Sequence, residues 1–464
     1  MALRLIECLS TTGPLADLFS DESILQSMLQ FEAALARVEA KLGVIPRSAA
    51  TAIATAARTA MLDPAAIASE SPLSGTFAIP FLRAFKESIR VHDPEAVGFV
   101  HWGATSQDLC DTALVLLLQK AEGIFDADLN RLGKALRKHA QQHRHTVMLG
   151  RTWLQAAPPI TFGLKAAGWL GAVHRSRNRL AAAFEEALIL QFGGAAGTLA
   201  ALGKDGLKVA EALADELKLT CPEAPWHTHR DRLATLMCAC GVLTGTLGKI
   251  ARDIVLLAQN EVAEVSEASA GGRGESSTMP HKHNPVGSVL TLAAAQRVPG
   301  LVSSFLSGMM QEHERAAGGW QAEWPIIAGV IQNTGLALVS MADVAEGLTV
   351  DADRMKANIA ANRGLIFAER ASMLLGKKIG RDHAHQLLQG ASAEAVIAKR
   401  NLSEVLAEMP EIVVHLRAAD LRDLENPEHY LGLTEEFRKR LLAASTQRKS
   451  KPQHSARKSA RRKK

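Results

Sequence analysis

An apolar repeat in the middle of the chain constrains the fold more than any other feature. Its side chains recur at alternating spacings of four and three residues: Leu236, Cys240, Leu243, Leu247, Ile250, Ile254 and Leu257. An average spacing of 3.5 residues keeps these side chains on one face of a helix of about six turns. Seams of this kind hold together the long helices of bundles, so the repeat predicts a central helix packed against others.

The rest of the chain also favours helices. Only 4% of its residues are aromatic, and the alternating β-branched residues that are typical of strands are scarce. We therefore predict an all-α protein. Further long stretches without helix breakers predict helices at about residues 111–145, 159–188 and 285–311.

Length and the distribution of loop-forming residues indicate the domain organisation. At roughly 150 residues per domain, the chain of 464 residues has room for about three domains. We predict an N-terminal helical domain, a central long-helix bundle and a C-terminal helical domain over residues 1–111, 112–352 and 353–445. Residues 269–285 follow the apolar repeat and are rich in Gly, Ser and Pro. This composition predicts a mobile loop between two rigid helices.

The formal net charge of +5 comes from the end of the chain. Residues 446–464 hold nine Lys or Arg and no acidic residue, and without them the charge is −4. Because this segment has almost no apolar side chains, we predict a disordered basic tail. A tail without aromatic residues or a folded groove offers no sequence specificity, so we expect no specific nucleic-acid partner.

Other features predict a cytoplasmic protein without a metal. The first ten residues lack the sustained apolar core of a secretory signal. The most apolar stretch, residues 325–345, is interrupted by polar residues, so no membrane partner is predicted. The five cysteines are scattered without a C-x-x-C pair, which is typical of a reduced compartment. No H-E-x-x-H or comparable ligand spacing occurs, so we predict neither a metal nor another cofactor.

The loop at 269–285 contains residues that suit acid–base chemistry. Ser276 and Ser277 are followed by Lys282 and Asn284. A serine hydroxyl exchanges protons readily only where neighbouring cations and hydrogen-bond donors stabilise its alkoxide. Lysine and asparagine are suitable donors to a developing oxyanion. The segment therefore predicts a catalytic loop, although a solvated Ser/Gly loop has the same composition.

Three ordered segments resemble the fumarase/aspartase superfamily. Residues 274–285 are similar to its signature loop, G-S-S-x-M-P-x-K-x-N-P, and depart from it only by Glu275, which separates Gly274 from the serine pair. Residues 101–108 (HWGATSQD) resemble the first conserved region as found in the adenylosuccinate lyase branch. Residues 150–158 (GRTWLQAAP) resemble the second conserved region.

This resemblance, which spans most of the chain before the basic tail, implies an assembly and a reaction type. It implies an α-helical homotetramer whose central helices form a common bundle, with each active site shared between subunits. It also implies that a proton is exchanged at the carbon next to a carboxylate through an aci-carboxylate intermediate. A group leaves or adds at the β-carbon in the same reaction.

The resemblance also implies roles for individual residues. Ser277, the second serine of the loop, is the implied acid–base residue, and Lys282 and Asn284 hold the dianionic intermediate. The residues implied to bind a substrate carboxylate or line the site are Thr105, Ser106, Thr152 and Gln155.

One position departs from the lyases of this superfamily. They usually carry a histidine after the Arg-Thr pair of the second region, and that histidine acts on the leaving group. In this chain the position is Trp153, whose indole cannot transfer protons. We expect Trp153 to line the wall of the substrate pocket. A carboxylate, with a pKa of about 4, needs no acid to leave, whereas an amine does. The departure favours lactonisation by the substrate's own carboxylate, and an adenylosuccinate- or argininosuccinate-type elimination is the alternative.

Further strings, including residues 161–169 and the segment around Arg315, are closely similar to bacterial cycloisomerases of the superfamily. This similarity implies a small tricarboxylate substrate, whose charges are held by cations. The cations implied to hold it are Arg151, Lys282, His101 and Arg315.

Two assignments remain open at the level of sequence. Either Ser277 or His101 delivers the proton to the substrate carbon. Arg315 either binds the substrate or forms a structural ion pair with Glu312 or Glu323.

Overall fold

The structure is a computed structural model that describes residues 5–269 and 272–445. The disordered basic tail predicted for residues 446–464 lies outside the described residues. The described chain is built from eighteen α-helices and two small antiparallel strand pairs, which confirms the predicted all-α class.

Helices of very different lengths carry nearly all of the regular structure. In chain order they are α1 (Gly13–Leu18), α2 (Asp21–Lys41), α3 (Arg47–Thr59), α4 (Pro64–Ser74), α5 (Ala78–Arg90), α6 (Ser106–Gln142), α7 (Phe162–Ala187), α8 (Gly206–Leu217), α9 (Asp231–Leu257), α10 (Val286–Ser307), α11 (Gly319–Gly347), α12 (Ala352–Ala361), α13 (Ala368–Ile379), α14 (Arg381–Ala398), α15 (Leu402–Glu408), α16 (Pro410–Val413), α17 (Ala418–Leu424) and α18 (Thr434–Ala444). Short 3-10 helices occupy Glu7–Leu9, Ala96–Phe99, Ala200–Asp205, Leu365–Phe367 and Pro427–Tyr430. The strands are β1 (Val147–Thr152), β2 (Gln155–Thr161), β3 (Val265–Ser266) and β4 (Thr349–Val350).

The chain divides into two compact units, each formed by two stretches of sequence. The first unit comprises the residues up to Gly133 together with Arg175–Val350. The second comprises Lys134–His174 and the residues from Asp351 onward. The three-domain division, with boundaries at residues 111 and 352, stays a prediction.

The apolar repeat lies on α9, and all seven of its side chains are at most 4% exposed. This helix packs against α10 and α11, which also pack against each other. At Gly248 an added Cβ would lie 2.7 Å from the Cβ of Ala295, so the missing side chain lets α9 and α10 approach closely. The predicted seam of a long bundle helix is confirmed.

The other predicted long helices are present as α6, α7 and α10, with shifted ends. The predicted start of α7 at residue 159 is wrong, because Pro158 and Pro159 belong to β2. The residue before a proline avoids helical backbone angles, so the double proline prolongs the strand. The loop predicted at 269–285 contains no α-helix or β-strand among its described residues, and its mobility stays a prediction.

In the second unit, β1 and β2 form a hairpin with a two-residue connection. The register shifts between Leu149 and Gly150, and an added Cβ at Gly150 would lie 2.4 Å from the carbonyl oxygen of Pro158. Only glycine fits at this bulge. β1 also contributes Val147 and Leu149 to the apolar core of this unit.

Candidate active site

The first conserved region leads into the N-terminus of α6 in the first unit. Thr105 directly precedes the helix, and its backbone N–H donates to the Asp108 carboxylate at 3.0 Å. The same buried carboxylate accepts hydrogen bonds from the backbone N–H groups of Gly193 (3.0 Å) and Gly194 (2.8 Å). Its Oδ1 also lies 2.7 Å from Nε2 of His227. Asp108 therefore anchors the start of α6 to the glycine turn at residues 193–194.

Arg315 converges on this helix start. Its Nη1 donates to Oγ1 of Thr105 at 2.7 Å, and its Nε donates to Oε1 of Gln107 at 2.8 Å. The two carboxylates considered as structural partners are engaged elsewhere. Glu312 accepts the backbone N–H of Ala317, and Glu323 pairs with Arg230. The guanidinium of Arg315 thus lies beside the threonine implied to bind a substrate carboxylate.

A buried ionic network lies behind this arrangement. Arg230 is 1% exposed and donates to Asp111 at 2.7 Å and to Glu323 at 2.6 Å. Asp111 accepts a further hydrogen bond from Nε1 of Trp320 at 2.9 Å and one from Nε2 of Gln107 at 3.1 Å. Gln107 therefore joins the buried network to Arg315. The Gln107 amide donates to Asp111 through Nε2 and accepts from Arg315 through Oε1.

His101 pairs with a residue outside the three conserved segments described above. Its Nδ1 lies 2.6 Å from Oε1 of Glu32, on α2, and the Glu32 side chain is fully buried. The backbone of His101 has φ +63°, in the left-handed region, and Gly103 two residues later has φ +70°. Histidine is one of the few side chains that tolerate this region. The chain therefore turns sharply at the point where the first conserved region begins.

The loop predicted to be catalytic is closed at its base by Gly274 and Asn284. The carbonyl oxygen of Gly274 accepts from the backbone N–H of Asn284 at 2.8 Å and from its Nδ2 at 3.1 Å. Ser276 accepts hydrogen bonds from the backbone N–H groups of the two residues after Ser277. Ser277 and Lys282 are exposed, and within the described part of the chain neither is hydrogen-bonded to the first conserved region.

Gly274→Ala is expected to lower kcat/KM at least about 100-fold, because it opens the base of the catalytic loop. Gly274 has φ +80°, and an added Cβ would lie 2.4 Å from the carbonyl oxygen of Asn284. Steady-state kinetics of purified protein measure the effect. Gly123→Ala is the matched control, since that exposed helical glycine has nothing within 4 Å of an added Cβ. An equal loss in both variants would contradict the expected loop effect.

The second conserved region forms the β1–β2 hairpin of the second unit. The guanidinium of Arg151 reaches the carbonyl oxygen of Leu149 at 3.4 Å, and Thr152 and Gln155 flank the turn. The two turn residues, Trp153 (φ +52°) and Leu154 (φ +63°), are 98% and 74% exposed. Turns of this type strongly prefer Asn-Gly. Two bulky apolar residues held there, in solvent, point to a role other than hairpin stability.

Within the part of the chain that the structure describes, the site residues form ion pairs, and no metal-binding cluster is present. Among residues 5–269 and 272–445, no group of three or more His, Cys, Asp or Glu side chains is arranged to hold a metal ion. Sequence reasoning missed Glu32, Asp111 and Arg230. Glu32 lies 69 positions from its partner His101, and Arg230 lies 119 and 93 positions from Asp111 and Glu323. Local spacing carries no signal of pairs so distant.

Comparisons with known proteins agree with this arrangement. A family model described as "Lyase" matches residues 7–300, and one described as "Adenylosuccinate lyase C-terminus" matches residues 364–441. The chain belongs to this lyase family, which confirms the superfamily predicted from the three conserved segments.

Within the family, the chain is similar to bacterial cycloisomerases. It is 49% identical to the 3-carboxy-cis,cis-muconate cycloisomerase of Bradyrhizobium diazoefficiens, over 91% of this chain and 94% of that protein. It is 46% identical to the enzyme of the same name from Pseudomonas aeruginosa, over 95% and 96%. The crystal structure of the 3-carboxy-cis,cis-muconate lactonizing enzyme from Pseudomonas putida superposes with a TM-score of 0.90 at 44% identity, covering 96% of this chain and 99% of that one.

Proposed function

We propose that the protein is a cycloisomerase that converts 3-carboxy-cis,cis-muconate into 4-carboxymuconolactone. A carboxylate of the substrate adds to the substrate's own double bond, and the reaction passes through an aci-carboxylate intermediate. This is a step in the protocatechuate branch of the β-ketoadipate pathway of aromatic catabolism. The observation that carries the proposal is the similarity to bacterial cycloisomerases over more than nine-tenths of the chain.

The residue at the hairpin tip agrees with this chemistry. Trp153 occupies the place where the eliminating lyases of the superfamily usually carry a histidine. In the reverse of lactonisation, the leaving group is a carboxylate, whose pKa of about 4 makes it stable without a proton. An amine leaving group from adenylosuccinate or argininosuccinate requires an acid that indole cannot supply. The elimination alternative is therefore not favoured.

The N-terminus of α6 supplies a site for one substrate carboxylate. Ser106 begins this long helix, and the unpaired backbone N–H groups of a helix start attract anions. Arg315 adds a full positive charge next to the Thr105 hydroxyl. A carboxylate bound there would accept hydrogen bonds from an arginine, a hydroxyl and backbone groups together.

The remaining roles belong to the same proposal. Cations neutralise the other two carboxylates, and holding the substrate folded makes its attack intramolecular. Lys282 and Asn284 stabilise the charge that develops on a carboxylate, and Ser277 or His101 protonates the α-carbon. The residues that complete the site are Arg151, Thr152, Trp153 and Gln155.

We propose that the site is completed in a homotetramer. Ser277, Lys282 and the Trp153 tip are exposed in the single chain. α10 is a 22-residue apolar helix, but only 22% of its most apolar window is buried. An exposed apolar surface on this scale marks an interaction site, and other copies of this bundle are the partners that fit it.

We further propose that the enzyme is soluble and cytoplasmic, without a membrane partner. Among the described residues, three helices, α9, α10 and α11, are long and apolar enough to cross a bilayer by length and composition. The seam of α9 packs inside the first unit, and 67% of the apolar window of α11 is buried there. The apolar surfaces of α9 and α11 are therefore used mainly within a helical bundle.

The proposed activity is tested by offering the purified protein three substrates in parallel. We expect 3-carboxy-cis,cis-muconate to lose its ultraviolet absorbance with a kcat/KM about 10⁴-fold or more above that for adenylosuccinate or argininosuccinate. The reason is that Trp153 stands at the position where those lyases usually carry the histidine that acts on the leaving group. Nuclear magnetic resonance of the product identifies the lactone. Comparable cleavage of adenylosuccinate would overturn the proposal.

A further inference from the structure

The environment of His101 contains a carboxylate that the reaction described above does not use. Glu32 lies on α2, 69 positions before His101, and its Oε1 is 2.6 Å from Nδ1 of that histidine. The Glu32 side chain is 1% exposed and that of His101 is 12% exposed. Nothing among the described residues other than His101 is hydrogen-bonded to the Glu32 carboxylate, and its Oε2 is buried without a partner.

Such a residue is unfavourable for stability. A buried carboxylate with one oxygen unpaired costs desolvation free energy that a single hydrogen bond does not restore. Replacing buried ionic groups by apolar side chains of similar volume is often neutral or stabilising. The position on α2 would therefore suit a leucine or methionine better if packing were its only task.

A second buried glutamate on the same helix shows what happens without a partner. Both oxygens of Glu39 are buried, and neither has a hydrogen-bond partner in the part of the chain that the structure describes. Burial, together with the charge of Glu32, raises the pKa of Glu39 to about 9, so Glu39 is protonated at neutral pH. Glu32 differs from Glu39 in having an imidazole within hydrogen-bond distance.

The backbone at His101 supports the same view. Its φ of +63° lies in the left-handed region, and the turn is held by the following Gly103, whose absent Cβ leaves room for Leu202. Residues kept in this region are over-determined by their surroundings and cluster at functional sites. The turn directs the ring so that Nδ1 meets Glu32, and Nε2 has no hydrogen-bond partner among the described residues.

We propose that Glu32 is the positioning residue of His101. It accepts the Nδ1–H hydrogen bond, fixes the ring and its tautomer, and leaves Nε2 as the atom offered to a substrate carboxylate. A carboxylate paired with one imidazole nitrogen determines the proton state of the other nitrogen and stabilises an imidazolium. The inference rests on the proposed function only for the identity of the substrate.

The first test measures the protonation and hydrogen bonding of the His101 ring in the absence of substrate. In magic-angle-spinning spectra of protein labelled with ¹⁵N-histidine, the His101 signals are identified by their loss in His101→Gln. We expect Nδ1 to be protonated and hydrogen-bonded in the wild-type protein, and this signature to change in Glu32→Gln. An unprotonated Nδ1, or a His101 spectrum that Glu32→Gln leaves unaltered, would overturn the proposal even if the enzyme acted on another substrate.

The second test uses kinetics with a matched control. Glu32→Gln keeps the shape of the side chain and removes its charge, and we expect kcat/KM for the muconate to fall about 10- to 100-fold. Glu32→Asp should recover part of this loss. Glu39→Gln, on the same helix, should leave kcat/KM unchanged, because Glu39 is already neutral. In a His101→Gln background, Glu32→Gln should add no further loss. Additive losses would show a purely structural role and would overturn the positioning role.

Discussion

Ser277→Ala is expected to lower kcat about 10²- to 10⁴-fold, the range that a positioned acid–base group contributes to proton transfer. Removing the hydroxyl leaves the cations and the carboxylate site at the start of α6 in place, so KM should change little. The thermal midpoint should also be unchanged, because Ser277 is exposed and, among the described residues, its hydroxyl is hydrogen-bonded only to Oγ1 of Thr278, at 3.5 Å. Turnover is followed by the loss of muconate absorbance in a stopped-flow instrument.

The neighbouring serine provides the control. Ser276 accepts the backbone N–H of Thr278 at 3.3 Å and that of Met279 at 3.1 Å, so its hydroxyl is committed to the local turn. Ser276→Ala should therefore cost less than about tenfold in kcat, as expected for a group outside the reacting atoms. If Ser276→Ala were the inactive variant and Ser277→Ala turned over normally, the assignment of the two serines would be reversed.

The same variant tests whether subunits share the site. Mixed oligomers of Ser277→Ala and a variant of the hairpin, such as Arg151→Ala, contain sites in which both residues are intact only if these residues come from different chains. We expect such mixtures to recover activity that neither variant has alone. Mixtures that stay inactive after exchange, verified by native mass spectrometry, would place both residues in one chain and contradict the shared site.

Features with a local cause were the ones that could be predicted from the sequence. The seam on α9 follows from the spacing of its own residues, and the seven side chains are buried as expected. The helices α6, α7 and α10 were located, with an error at Pro159 because proline is compatible with a helix start and with a strand edge alike. The β1–β2 hairpin was missed because its turn, Trp153–Leu154, lacks the Asn-Gly signal.

Contacts between residues that are far apart in the sequence could be identified only from the structure. The choice for Arg315 between substrate and ion pair could not be made from sequence, since Glu312 and Glu323 are nearby in the chain. Its actual contacts, Thr105 and Gln107, lie 210 and 208 positions away. The resemblance to superfamily motifs selected Thr105, Ser277 and Lys282 as candidate site residues. It gives no information on the distances between their side chains. Geometry of this kind depends on how whole helices pack.

Arg230→Met is expected to destabilise the protein by about 3–5 kcal/mol, the cost of removing one partner from a buried ion pair. Arg230 is the only cation hydrogen-bonded to Asp111 and Glu323 among the described residues, and the three side chains are at most 2% exposed. Methionine matches the aliphatic part of arginine, so the variant tests charge more than volume. The thermal midpoint, measured at a fixed protein concentration, should fall by several degrees.

The expected loss comes from the two carboxylates and not from the arginine itself. Burial already raises the pKa of Glu323 above its usual range, and Arg230 opposes that shift. Without Arg230, Asp111 and Glu323 must remain charged in an apolar interior or take up protons, and either outcome costs free energy of folding. Arg232→Met is the matched control, because Arg232 pairs at 3.4 Å with Glu223, which is 90% exposed. Its loss should stay within about 0.5 kcal/mol.

Kinetic measurements distinguish a network that orients Arg315 from an ion pair that only stabilises the fold. Nε2 of Gln107 donates a hydrogen bond to Asp111, and Oε1 of Gln107 accepts one from Arg315. If the orientation of Arg315 depends on this relay, Arg230→Met assayed well below its thermal midpoint should raise KM for the muconate more than it lowers kcat, because a carboxylate-binding cation is displaced. Unchanged KM in a destabilised variant would restrict Arg230 to folding. An unchanged thermal midpoint would contradict the buried network as the structure defines it.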